Sequence, residues 1–245
     1  STVGGDGPIC YLTSSDRPDA PVAFKMHGEF SRQRFLQVAP WVVQNSEHVG
    51  LPSGTGYGVV LIGGGVWGPN NVSLAWMPLE PSIGPDVRRI LYYAGQQGDQ
   101  AIWLPREEDT KMVCVPSQPK RYTSMALARL EGPKKWLLMY HLNRSSGRSA
   151  EIVARFSDDL FRWSDEVSFF NPSADADDLI NAIFKADEKT TVYGGFPLNC
   201  FTQWCPSTRV LTLYYLMSVF QPLYQVQVMR TRVKLRTVFP FTGMG

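Results

Sequence analysis

Histidine and cysteine are scarce in this chain, at three and four of 245 residues, and no Cys-x-x-Cys pair occurs. That scarcity argues against a zinc site built on the usual ligand spacings. No apolar run approaches the length needed to cross a bilayer as a helix. A surplus of one charge is also lacking, since a net +2 does not by itself imply a nucleic-acid partner. There is no P-loop, no Gly-x-Gly-x-x-Gly between strand and helix, and no Gly-x-Ser-x-Gly. The glycine run Gly63–Gly65 precedes a strand-like segment, so it presents no helix amino terminus to a phosphate. Nucleotide chemistry is therefore not expected. The opening STVGGDGP lacks the charged-then-apolar pattern of a signal peptide and reads as the start of a mature or trimmed chain, consistent with an extracellular or secreted protein.

What is present points to many short strands. Hydrophobic residues make up 44% and aromatics 12%, with 21 Gly and 18 Pro, enough for one globular domain over residues 1–245. The clearest unit is Tyr57 to Glu80. It reads as two strands, with Val59–Ile62 and Val72–Met77 joined by a wide glycine-rich turn. Further strands are expected at Pro8–Ser14, Val22–Met26 and Phe35–Gln44, the last carrying Pro40 as an edge strand would. Others follow at Arg88–Ala94, Met112–Val115, Tyr122–Leu130, Lys135–Leu142, Glu151–Phe156, Thr191–Phe196, Val210–Met217 and Tyr224–Leu235. Trp103 opens a mixed connection, Ser157–Ser164 closes a unit, and Ala176–Lys185 has the spacing of a short helix. Tyr57, Tyr122 and Thr191 each open strand, turn, strand, turn, strand, at separations of 65 and 69 residues. A repeat of strands without crossover helices suggests propeller blades, with a β-sandwich as the alternative.

The segments GGGVWGPNNVSLAWMPLE, ILYYAG, MALARL, KWLLMYH and EIVARFSDDLFRWSDE, in that order, resemble the domain of unknown function 4185 family. The closing VLTLYYLMSVFQPLYQVQVMRTRVKL resembles that family's last strand pair, so the resemblance covers most of residues 55–235. It implies an all-β, five-bladed β-propeller, and its characterised members include microbial endo-D-arabinanases. The family's amino-terminal blade, with a Gly-Asp segment bearing expected catalytic carboxylates, has no match here. The resemblance thus implies an amino-terminal blade that is incomplete or supplied elsewhere, for instance by a second polypeptide. No catalytic residue carries over from the family.

Glycoside hydrolysis normally needs two carboxyl groups across the scissile bond. The candidates are Asp16 in a turn after the first strand, Glu29 beside His27, and Glu47 beside His48. Each is equally readable as a solvated turn residue. Glu107 and Glu108 match the family's Trp-x-x-x-Glu region but also sit in the charge run REEDTK. Sugar binding needs flat apolar surfaces beside hydrogen-bonding groups. Trp67, Asn70 and Asn71 in the glycine-rich turn fit that need, as do Tyr122, Tyr193 and Trp204, while Trp136 and Trp163 read as core. Two functions follow as expectations: a hydrolase acting on an arabinan-like polysaccharide through a carboxylate pair, or a non-catalytic propeller binding glycan or protein. Neither needs a redox cofactor; a propeller can carry a structural calcium at its funnel, although no dense carboxylate loop here demands one. Cys200 and Cys205 in NCFTQWC could close a small surface ring, or the four thiols stay free.

Overall fold

The computed structural model describes residues 10–15, 24–52, 56–65, 72–80, 84–114, 121–143, 151–171, 192–219 and 224–236. Among them, every extended element is a β-strand, in four antiparallel sheets, and the only helical turns are short 3-10 pieces. The first sheet pairs β1 (Cys10–Ser14) with β2 (Lys25–Ser31). The second runs β3 (Gln37–Gln44), β4 (Tyr57–Gly64), β5 (Val72–Leu79), β6 (Leu91–Gln97) and β7 (Gln100–Leu104), with β8 (Met112–Cys114) paired to the start of β5. The third is a meander of β9 (Arg121–Leu130), β10 (Lys135–Asn143), β11 (Glu151–Ser157) and β12 (Val167–Phe170). In the fourth, β15 (Val210–Val219) is central, bonded to β13 (Val192–Pro197) and β14 (Gln203–Cys205) and, over its full length, to β16 (Gln225–Lys234).

Burial follows from alternation. Along β15, Leu211, Leu213, Tyr215, Met217 and Val219 point to one face and are buried, while their neighbours are only partly covered. Strand β5 is buried at six successive positions, Val72–Met77, because both faces of its sheet are covered. Three apolar cores result. The first joins Phe30 of the first sheet to Phe35, Leu61, Ala75 and Met77. The second packs Val60, Ile62, Leu74 and Trp76 of the second sheet against Leu127, Trp136, Leu138 and Tyr140 of the third. The third packs Leu137, Met139, Ile152 and Ala154 against Leu211, Leu213, Tyr215 and Met217 of the fourth. Sheets therefore stack face to face in chain order. The first strands of the last three, β3, β9 and β13, lie at sheet edges, with β9 against both β3 and β13. Successive antiparallel sheets that share an inner line of first strands follow the packing plan of a β-propeller.

The Tyr57–Glu80 hairpin forms as the residues indicate, and β3 is an edge strand, with Pro40 opposite Leu61. The expected start of that unit is displaced, however. The sheet begins one strand earlier, at β3, which pairs with β4 along its whole length, from Gln37 opposite Gly64 to Gln44 opposite Tyr57. Trp103 lies inside β7, which folds back on β6 through the Gln97–Gln100 turn, rather than opening a loop. Residues 157–164 form a bend bridged by Ser157 and Trp163, and the fourth strand of that sheet, β12, follows it. The helix expected at 176–185 lies outside the described residues. All four cysteines are free thiols, Cys200 and Cys205 exposed, and Cys10 and Cys114 partly buried.

One polar cluster is sealed between the second and third sheets. Arg155 on β11 and Glu166 after it are only 7% and 10% exposed and pair at 3.3 Å. The Tyr140 hydroxyl donates to Glu166 at 2.8 Å and accepts from Arg155 Nε at 2.9 Å, and Arg155 Nη1 donates to the Ser164 carbonyl at 2.6 Å. Burial holds the Tyr140 phenol well above its ordinary range and pushes the Cys114 thiol up to about 12. Both stay neutral.

Candidate functional site

Polar side chains gather at both ends of the line formed by β3, β9 and β13. At the end where these strands start, the amide N–H of Ser124 donates to Gln37 Oε1 at 3.1 Å, tying β9 to β3. Ser124 has φ 54°, a left-handed conformation unusual for a residue with a side chain, and the β9–β10 register breaks beside it. Strand β13 breaks in the same way, at Gly194 (φ +75°) and Gly195 (φ +155°), between Tyr193 and Phe196. Such bulges re-aim side chains and cluster near functional sites. Beside them, Tyr193 meets His141 of β10 edge-on, with ring centroids 5.7 Å apart. His141 is 1% exposed, and burial pushes its imidazole down to about 4, so it is neutral.

At the opposite end, β3 runs into the Asn45–Glu47 turn and His48, and β9 into the turn Glu131–Lys134. Arg129, the last residue but one of β9, lies over Trp136 at 5.2 Å from its ring centroid. His48 stacks on the same indole at 5.1 Å, and Trp41 meets it edge-on at 6.4 Å. Asn199 Nδ2 donates to the Arg129 carbonyl at 3.4 Å, which brings in the segment after β13. Trp204 rests on Gly132, where a Cβ would stand 2.6 Å from the Trp204 Cβ, so the turn needs glycine there. The electrostatics link two carboxylates to this group. Burial lowers His48, with Arg129 pushing the same way and Glu47 and Glu131 opposing. Burial likewise lowers Arg129, against Glu131, Asp158 and Glu47. Glu47 and Glu131, both exposed, thus act on the same cation and the same imidazole.

The residues singled out in the sequence fall in different places. Tyr193 belongs to the strand-start end, and the backbone of Tyr122 lies there too, opposite Leu142. Asp16, Trp67, Asn70 and Asn71 lie outside the described residues. Glu47 belongs to the opposite end. His27 and Glu29 take separate partners: His27 Nε2 is 2.6 Å from Ser14 Oγ, while Glu29 is held by Arg32 at 2.5 and 2.7 Å. The hydrogen bond from Arg32 keeps the Glu29 carboxyl below its usual range. Glu107 accepts from Ser31 Oγ at 2.5 Å and from the Arg34 amide at 2.6 Å, bracing the loop that leads into β3. Arg129, Glu131 and Asn199 carry no sequence signal, because a turn Glu and a strand Arg acquire meaning only once β3, β9 and β13 are side by side. Among the described residues, no group of three or more His, Cys, Asp or Glu is arranged to hold a metal.

No family model matches the chain, and no curated protein matches it. Among solved structures it is similar to the α-L-arabinofuranosidase Arb93A of Fusarium graminearum in complex with an iminosugar inhibitor, with TM-score 0.47 and 11% identity over 93% of this chain and 55% of that one. It is also similar to BT0996 in its RGII complex, with TM-score 0.42 and 13% identity over 94% and 63%. A further glycoside hydrolase gives TM-score 0.39 and 13% identity over 91% and 61%. The chain thus spans just over half to under two thirds of the length of these proteins. With TM-scores under 0.5, the similarities decide nothing about its activity.

Proposed function

We propose that this chain is a carbohydrate-active propeller that hydrolyses an arabinan-like polysaccharide with Glu47 and Glu131 as its carboxylate pair. The observation that carries this reading is that both carboxylates act on Arg129 and His48 at the finishing ends of adjacent first strands. Glycoside hydrolysis asks for one carboxyl to protonate the leaving oxygen and another, ionised, to act as base or nucleophile. Trp204, partly exposed, supplies a flat face for the sugar.

The test is reducing-sugar release from arabinan. Glu47→Gln and Glu131→Gln, isosteric changes at exposed positions, are each expected to lower the rate at least about 100-fold without moving the melting temperature. A wild-type chain that releases no sugar would overturn the hydrolase reading.

A second reading, glycan binding without hydrolysis, is favoured by the strand-start end, where register breaks beside Ser124 and Tyr193 interrupt two neighbouring first strands. There, Tyr193→Ala is expected to weaken retardation of the chain in an arabinan gel by about tenfold, the loss of one stacking platform. Unchanged mobility of that variant would remove this reading.

A further inference from the structure

Among the described residues, the fourth sheet is covered on one face only. Its inner face, Leu211 to Val219 with Met229 and Val233, packs on the third sheet. The outer face has two halves. One is aromatic: Phe196, 46% exposed, stands opposite Leu216, and Phe201, 59% exposed, meets Tyr214 edge-on at 6.4 Å. The other, along β16, begins with the exposed Val226 (54%) and Val228 (66%) and ends in a cationic row. Arg230, Arg232 and Lys234 alternate along β16, all exposed on this face, opposite Tyr214, Thr212 and Val210. Strand geometry spaces the three charges about 7 Å apart in a straight row. Among the described residues, none of the three has a carboxylate within ion-pair distance.

This composition differs from the faces buried inside the molecule, which are mainly apolar and where the buried Arg155 is paired with Glu166. An apolar sheet laid over this one would strip water from three unpaired cations, at a cost no apolar contact offsets. An extended polyanion whose units also present flat apolar faces meets both halves at once, because its charges sit on the row and its rings stack on the aromatics. We infer that the uncovered face of the fourth sheet binds an acidic, uronate-bearing polysaccharide, with its carboxylates on Arg230, Arg232 and Lys234 and its sugar rings against Phe196, Phe201 and Tyr214. The inference rests on the carbohydrate reading above but concerns a different surface, remote in the chain from Glu47 and Glu131.

The test is affinity electrophoresis of the full chain in gels containing polygalacturonate or neutral arabinan. Polygalacturonate is expected to retard the wild type, with the apparent affinity falling at least about tenfold when NaCl is raised from about 0.05 to about 0.5 M, as screened charges require. Arg230→Glu/Arg232→Glu is expected to abolish that retardation and to leave arabinan hydrolysis unchanged. Phe196→Ala/Phe201→Ala is expected to weaken polygalacturonate binding several-fold while keeping its salt dependence. Equal retardation of the charge-reversed variant overturns the proposal. So does equal competition by a single-stranded oligonucleotide, which would show a surface that selects charge alone. A dimer in light scattering that the reversal dissociates also overturns it, by making the face a subunit contact. Hydrolysis of arabinan without binding of polygalacturonate removes this inference alone, and the converse removes the hydrolase reading alone.

Discussion

Glu166→Ala is expected to lower the free energy of unfolding by about 3–5 kcal/mol, the range for removing one partner of a buried ion pair. The loss is large because of what stays behind. Arg155, 7% exposed, stays buried while its charge loses the Glu166 carboxylate it pairs with at 3.3 Å. The pair itself is a weaker asset than that figure suggests, since desolvation offsets much of its attraction. A double-mutant cycle separates the two effects. Arg155→Met/Glu166→Met is expected to be less destabilising than the sum of its single changes, by about 1–3 kcal/mol. Strict additivity in urea denaturation would show that the two side chains do not act as a unit.

The second large effect is a loss of stability in mild acid, traced to His141. Burial holds its imidazole at about 4, whereas an exposed histidine in the unfolded chain titrates near 6.5. Between those values the unfolded chain takes up a proton that the folded chain refuses. The contribution is fully present above about pH 6.5 and is lost as the pH falls toward 4, amounting to about 3 kcal/mol across that window. Denaturant midpoints measured at about pH 7 and about pH 4.5 check it. His141→Gln, which has nothing to protonate there, is expected to flatten the slope over this range, and an unchanged slope would assign the acid sensitivity to other groups. Because Tyr193 lies against His141, the same acid step is expected to loosen the strand-start end first.

Much of the fold was legible wherever neighbours in sequence are neighbours in space. The Tyr57–Glu80 hairpin and the alternation in Val210–Val219 and Gln225–Lys234 follow from local pattern, and the strands form there. Some short strands were not legible, although Cys10–Ser14 and Met112–Cys114 form where strands were expected. Gln100–Leu104 and Gln203–Cys205 are five and three residues long, too few to show a period, and partners fix them. The assignment of β3 to the sheet of β4 was hidden by Pro40 and by the turn between them, although the edge position that Pro40 implies is correct. The candidate site was legible only in fragments. Glu47 and Tyr193 stand out by residue type and setting. Their partners Glu131, Arg129 and His141 come from other strands, and nothing local distinguishes a turn Glu or a strand His from its neighbours. Ser124 is the extreme case, since an ordinary serine in an ordinary strand adopts φ 54° only because the β9–β10 register breaks there.

Strand β16 bears on how the protein behaves at high concentration. Among the described residues it bonds only to β15, so the backbone groups of every other residue along its ten-residue length form an open edge suited to recruiting a strand from another molecule. Lysine and arginine along such an edge are a common defence, because two like-charged edges repel before their backbones can pair. Arg230, Arg232 and Lys234 thus act as solubility guards whatever else they bind. Replacing all three by threonine, which keeps strand propensity and removes the charge, is expected to turn a clear concentrated solution turbid over hours, and added salt should hasten the same change in the wild type.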